Sequence, residues 1–233
     1  MDGDTGRIPL SWVSSVLTQL RAKLGDPPIL VMCVVGVQSS GKSTLLNTMF
    51  GVQFPVRSGQ CTKGLFLRVL KVADDFVDQL GEFIFLIDSE GIQSQERISK
   101  DDIRFDNEIV TLVLCISDVT LLNIAGENVG PEMIGLLQIA AHALIRMKKV
   151  NLHSQCRIVQ QRVSKVTAEK RNKVSMTQIE STLNKAIKEA SKKEGFGSRY
   201  EQFSDVFDLR RGLNGRKRAI FPAFVDWSNV STS

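Results

Sequence analysis

Apolar residues recur at three-to-four spacing near the start of the chain, at Leu10, Val13, Val16, Leu17, Leu20 and Leu24. That period predicts an amphipathic helix over 10–24, stopped by Gly25 and the Pro27-Pro28 pair. The pattern then changes. Residues 29–35 are apolar without interruption and have the length of a strand buried on both faces. A glycine-containing turn follows, then a helix over Lys42–Phe50 that Gly51 ends. Residues 65–72 and 83–87 predict two more strands, and 110–117 a further buried one. Segments 52–63 and 89–101 lack a period and read as loops, the first carrying Pro55, Ser58 and Gly59. A turn is predicted over 126–130, with Pro131 opening a helix that reaches about Lys149. Residues 157–159 predict a short strand and 219–225 a last one. Met176, Ile179, Leu183, Ala186, Ile187 and Ala190 share one face of a helix ending near Gly195.

Strands that are apolar on both faces imply a parallel sheet covered by helices on both sides, and the alternation of strand and helix agrees. The expected fold is α/β, three layers with a mostly parallel central sheet. No repeat and no low-complexity linker divides the 233 residues, so one domain over 1–233 is expected, with the 10–24 helix packed on it. The closing residues, Ser-Asn-Val-Ser-Thr-Ser, offer nothing to pack. The expectation is a piece of a larger protein.

Composition narrows the classes. At 42% hydrophobic and 24% charged, the chain has the balance of a globular protein. No apolar stretch approaches the ~20 residues of a membrane helix, and no secretory leader pattern opens the chain. Aromatic residues make up only 6%, which disfavours recognition by base or sugar stacking. Cys33, Cys61, Cys115 and Cys156 form no C-x-x-C pair, and His142 and His153 are the two histidines. A structural zinc site is therefore not expected. Cys33 and Cys115 sit in apolar runs and read as free thiols, which points to a reducing compartment, cytoplasm or also nucleus. Charge is uneven: residues 1–145 hold 11 Lys/Arg against 17 Asp/Glu, while 146–218 hold 19 against 7. The basic segment reads first as a solvated helix face. Contact with nucleic acid or an anionic membrane is the alternative.

Three constellations carry chemistry. Gly36-Val37-Gln38-Ser39-Ser40-Gly41-Lys42-Ser43 fits G-x-x-x-x-G-K-[ST] between a predicted strand and a predicted helix. Glycines at those positions let backbone N–H groups converge on phosphate oxygens, and the helix adds its positive N-terminus. Lys42 would stand exposed at the helix start and reach the β- and γ-phosphates, and the Ser43 hydroxyl would bind Mg²⁺. Asp88-Ser89-Glu90-Gly91 ends another apolar run. An Asp there can hold Mg²⁺ through water, and the Gly91 N–H can sense the γ-phosphate. Thr62, in the loop after the P-loop helix, can complete the Mg²⁺ shell when a γ-phosphate is bound. His142, on an apolar helix, reads as a packed boundary residue rather than a ligand.

The run from Gln38 through Thr44 resembles the P-loop of the dynamin superfamily. Cys61-Thr62-Lys63-Gly64 and Asp88-Ser89-Glu90-Gly91 resemble the two switch motifs of guanylate-binding proteins. With Leu45-Leu46-Asn47-Thr48-Met49-Phe50-Gly51 and Leu122-Asn123-Ile124-Ala125-Gly126, residues 10–225 resemble most closely the G domain of the interferon-inducible very large GTPases, which are cytosolic and nuclear. The resemblance implies GTP or GDP bound by residues 36–44, including Ser39, Ser40 and Thr44, with Mg²⁺ at Ser43 and Thr62. It implies that Gln38 positions the attacking water. Guanylate-binding proteins carry a P-loop arginine where this chain has Ser39. The base-reading position near 158–162 holds neither Asp nor Asn; Gln161 can accept one guanine N–H, and Arg162 has no acceptor. Asn172-Lys173-Val174-Ser175 has the Asn-Lys without the Asp.

The expected function is Mg²⁺-dependent GTP binding and hydrolysis. The alternatives are a P-loop ATPase, a nucleotide-binding scaffold with little hydrolysis, and a nucleotide-regulated contact through 146–218. The resemblance also implies a nucleotide-dependent homodimer, G domain to G domain.

Overall fold

The computed structural model describes residues 10–56, 64–89, 91, 100–126, 130–150, 152, 154–161 and 168–206. The elements run α1 (Leu10–Leu24), β1 (Ile29–Gly36), α2 (Lys42–Phe50), β2 (Leu65–Lys71), α3 (Val77–Leu80), β3 (Phe83–Ser89), α4 (Lys100–Ile116), β4 (Val119–Ala125), α5 (Pro131–Lys149), β5 (Gln155–Gln161), α6 (Ala168–Lys193) and α7 (Phe203–Val206). The strands form one sheet in the order β2-β3-β1-β4-β5. β1 pairs in parallel with β3 and β4, and β4 pairs in parallel with β5. Among the described strands only β2 runs antiparallel, against β3.

Period-two alternation along β1 explains the three layers. Cys33 and Val35 enter a core built with α4, α5 and α6. Leu30, Met32 and Val34 enter the opposite core with Leu45 and Leu46 of α2, Phe54 and Val72. Both faces are covered, as uninterrupted apolar strands require. No described side chain of α1 is buried, and Trp12 and Leu17 are exposed. No helix among the described residues is long and apolar enough to cross a membrane.

The expected strand at 110–117 is the second half of a helix. Phe105, Ile109, Val110, Val113 and Leu114 are buried together, a helical spacing that begins inside the polar stretch before the apolar run. The β-branched residues misled because local propensity gives way to packing of an amphipathic face. The strand itself is β4, past Ser117 and Asp118. The Asp118 carboxylate accepts from the Val31 N–H at 2.8 Å and ties the entry of β4 to β1. Burial pushes the Asp118 carboxyl upward, and the Val31 N–H partly offsets that. The short strand expected at 157–159 extends over all of β5. The expected strand at 219–225, the closing residues, segment 57–63, most of segment 89–101, Cys61, His153 and Arg162 lie outside the described residues.

Candidate functional site

In a sheet of parallel strands, ligands gather where the carboxyl ends point and the strand order reverses. β1, β3, β4 and β5 end there at Gly36, Ser89, Ala125 and Gln161. β1 lies between β3 and β4, so the chain leaves it toward one side and later returns on the other.

The loop from Gly36 to α2 is tightly wound. A methyl group at Gly36 would lie 2.7 Å from the Asn123 carbonyl oxygen and 2.9 Å from Ser40 Oγ. Ser39 and Gly41 both take left-handed backbone, with φ of 58° and 84°. Gly41 caps α2, and its carbonyl accepts from Leu45 N at 2.9 Å. The first N–H groups of a nine-residue helix therefore follow the turn. Val37 and Gln38 are half-buried, and Ser39 and Thr44 are exposed.

Lys42 departs from expectation. It is 6% exposed rather than projecting into solvent. Its Nζ donates to the carbonyls of Gly36 at 3.2 Å and Val37 at 3.0 Å. The ammonium is held inside the turn that its own loop forms, because a buried charge needs acceptors.

β3 delivers Asp88, fully buried, to the same place. Ser43 Oγ donates to Asp88 Oδ2 at 2.6 Å. A hydroxyl and a carboxylate held this close supply the hard oxygens Mg²⁺ prefers, few enough to leave room for water and phosphate oxygens. Among the described residues no cluster of three or more His, Cys, Asp or Glu offers a different metal centre. Ser89 Oγ donates to the Val34 carbonyl at 2.7 Å and locks the end of β3 to β1. Gly91 is buried against the loop: a Cβ there would lie 2.4 Å from Gln38 Cα and 2.8 Å from its backbone N. The structure thus brings Gln38, Lys42, Ser43, Asp88 and Gly91 together. Thr62 lies outside the described residues.

Gln161 ends β5, and its Nε2 donates to Asn123 Oδ1 at 2.6 Å. Asn123, fully buried at the end of β4, donates to the Ser40 carbonyl at 2.9 Å and to Ser40 Oγ at 3.1 Å. The sequence reading gave Asn123 no role. Its signal is a lone amide within the otherwise apolar end of Val119–Ala125, hidden because the strand was expected earlier.

A family model for the URGCP-like GTPase domain matches residues 1–215. The chain belongs to this family. The chain is 40% identical over 214 residues to interferon-induced very large GTPase 1 of Mus musculus, covering 91% of this chain and 9% of that protein. The Homo sapiens protein of the same name is 40% identical over 195 residues, covering 83% of this chain and 8% of the relative. Up-regulator of cell proliferation from Bos taurus is 34% identical over 173 residues, covering 72% and 18%. The chain therefore spans less than a fifth of the length of these relatives. As a URGCP-like GTPase domain, it places its G-x-x-x-x-G-K-[ST] segment at the carboxyl edge of its sheet.

Proposed function

We propose that the domain binds GTP with Mg²⁺ and hydrolyses it to GDP and phosphate. The observation that carries the reading is the convergence of the 36–43 loop, the Ser43–Asp88 hydrogen bond and Gly91 on one end of the sheet. Backbone N–H groups of the loop and the N-terminus of α2 receive the phosphates. Ser43 and Asp88, with Thr62 as the resemblance implies, would hold Mg²⁺, which when bound neutralises charge on the phosphate oxygens. Lys42 turns from its loop carbonyls to phosphate oxygens. Gln38, abutting Gly91, orients the water that attacks the γ-phosphorus in line as the bond to the β-bridging oxygen breaks. Gln161 offers Oε1 as an acceptor for a guanine N–H. This reading favours GTP over ATP through family membership, with Gln161 in place of the usual Asp.

The decisive experiment is nucleotide binding by the domain and by Lys42→Ala, with GTP and ATP in competition. GTP should win, and Lys42→Ala should fold yet lose triphosphate affinity. Undiminished affinity in the folded variant would remove the phosphate-loop reading; equal competition would favour an ATPase. Single-turnover hydrolysis separates an enzyme from a scaffold.

We further propose that two G domains meet across the nucleotide. This reading is supported by the dynamin-like motifs and by Ser39 in place of a P-loop arginine. A reducing compartment, cytoplasm or nucleus, is supported by the buried free thiols of Cys33 and Cys156.

A further inference from the structure

The hydrogen bonds among Ser40, Asn123 and Gln161 have a direction fixed by chemistry. The Ser40 carbonyl can only accept, so Asn123 must turn its amide nitrogen toward it. Asn123 Oδ1 then faces β5, and Gln161 must present its own nitrogen there. The relay is almost sealed from water: Asn123 is 0% and Ser40 1% exposed. The far end is stapled as well. Gly126 N donates to the Gln161 carbonyl at 2.8 Å, and Gln160 Nε2 donates to the Gly126 carbonyl at 2.8 Å. The near end is crowded by Gly36, whose Cβ position is taken up by the Asn123 carbonyl and Ser40 Oγ.

The consequence lies in one peptide plane. A trans peptide points its C=O and N–H in opposite directions. Pinning the Ser40 carbonyl to buried Asn123 turns the Gly41 N–H the other way, away from Asn123. That N–H belongs to the set that cradles the α- and β-phosphates in a loop of this type. We propose that Asn123 is a positioning residue for phosphate binding, and that Gln161 acts through it by fixing its amide. The inference rests on the nucleotide-binding reading and deepens it: the base-side strand end and the phosphate loop share one hydrogen-bond relay.

The test is a double-mutant cycle on the domain with Asn123→Ala, Gln161→Ala and the double variant. Affinities for GDP and GMP are measured by competition with a fluorescent guanine nucleotide, alongside melting temperature. Asn123→Ala should weaken GDP about tenfold or more, the scale of a charge-assisted hydrogen bond, and GMP clearly less. Gln161→Ala should weaken GDP by a smaller factor in the wild-type background and by less still in the Asn123→Ala background, where only its proposed guanine contact remains to be lost. A loss from Gln161→Ala that is the same in both backgrounds overturns the relay and leaves Gln161 its guanine contact alone. A folded Asn123→Ala that binds GDP as wild type does also overturns it. So does an equal loss for GDP and GMP, the mark of a merely structural residue. Should Asn123→Ala not fold, Gln161→Ala at the half-buried strand end decides alone: GDP weakened more than GMP supports the relay, and equal losses overturn it. A wild-type domain that binds neither nucleotide fails the nucleotide reading itself, and is told apart because no variant is needed to see it.

Discussion

Gly91 shows how much a single missing side chain can matter. Its backbone needs no left-handed conformation; what it needs is room, since a Cβ would sit 2.4 Å from Gln38 Cα. Gly91→Ala must therefore push the segment after β3 away from the phosphate loop, or displace the loop itself. Overpacking of this kind costs about 1–3 kcal/mol. We expect the variant to fold with a lowered melting temperature and to lose about tenfold or more in single-turnover GTP hydrolysis, because Gln38 moves with its backbone. Hydrolysis at the wild-type rate would show that the contact between Gln38 and Gly91 is not part of the working geometry. Lys42 makes a related point: its residue type and spacing were legible in the sequence, but its burial against the Gly36 and Val37 carbonyls was not. A motif names the ligand of a side chain and says nothing of where that side chain otherwise rests.

At the scale of elements, legibility follows the strength of the local signal. Capped and punctuated elements came through: Leu10–Leu24 before Gly25, Lys42–Phe50 before Gly51, and Pro131–Lys149 after Gly130. The failure was α4 with β4, where two apolar runs are separated only by Ser117 and Asp118 and the helix begins in polar sequence. Asn123 was lost with its strand. The packing of α5 against α6 was likewise invisible, because it depends on pairs some 45 residues apart. Glu194, past the end of α6, accepts from Arg146 Nε at 2.7 Å and Lys149 Nζ at 2.9 Å, with His142 Nδ1 3.9 Å away. The Lys149 hydrogen bond, followed by that of Arg146, holds the Glu194 carboxyl below its ordinary range despite some burial. Burial, followed by the charges of Lys193 and Arg146, pushes the His142 imidazole down. A carboxyl depressed in the fold stabilises at pH above its unfolded value and ceases to do so as pH falls through the folded one. Arg146 and Lys149 are 57% and 46% exposed, so solvent screens much of the effect. Glu194→Gln should lower the melting temperature by up to about 4 °C at neutral pH. The gap should close as the pH drops below the ordinary glutamate range. A gap that stays constant on acidification would assign the loss to packing rather than charge.

The whole molecule carries its charges in two territories. Part of the basic one lies on α6, where Lys185, Lys188, Lys192 and Lys193 are exposed while Ile179, Leu183, Ile187 and Ala190 are buried. The nucleotide end is where assembly is proposed. With GDP and aluminium fluoride, sedimentation should show a dimer; with GDP alone, a monomer. Hydrolysis per molecule should rise with protein concentration, since an arginine supplied from outside can accelerate this chemistry by ~10³–10⁵. A monomer under all conditions, hydrolysing at a concentration-independent rate, would end the dimer proposal.

The outer position of β2 bears on how this domain behaves as a material. Among the described residues it is the last strand of the sheet on its side, and Phe66, Leu67 and Val69 are each more than a third exposed. Such a rim is an invitation to add another strand, and natural sheets answer it with charge. Here the charges are Lys71, exposed at the strand's end, and Arg68, whose Nη2 donates to the Gln53 carbonyl at 3.0 Å while its guanidinium lies 5.9 Å from the Phe54 ring. Arg68→Thr should therefore make solutions cloud sooner at a given concentration and temperature, read by light scattering, with GDP affinity unchanged. Clumping through this rim would be indifferent to nucleotide, whereas dimerisation across the phosphates would not. Solutions that stay as clear as wild type would mean that the edge is guarded by shape or by Lys71 rather than by its arginine.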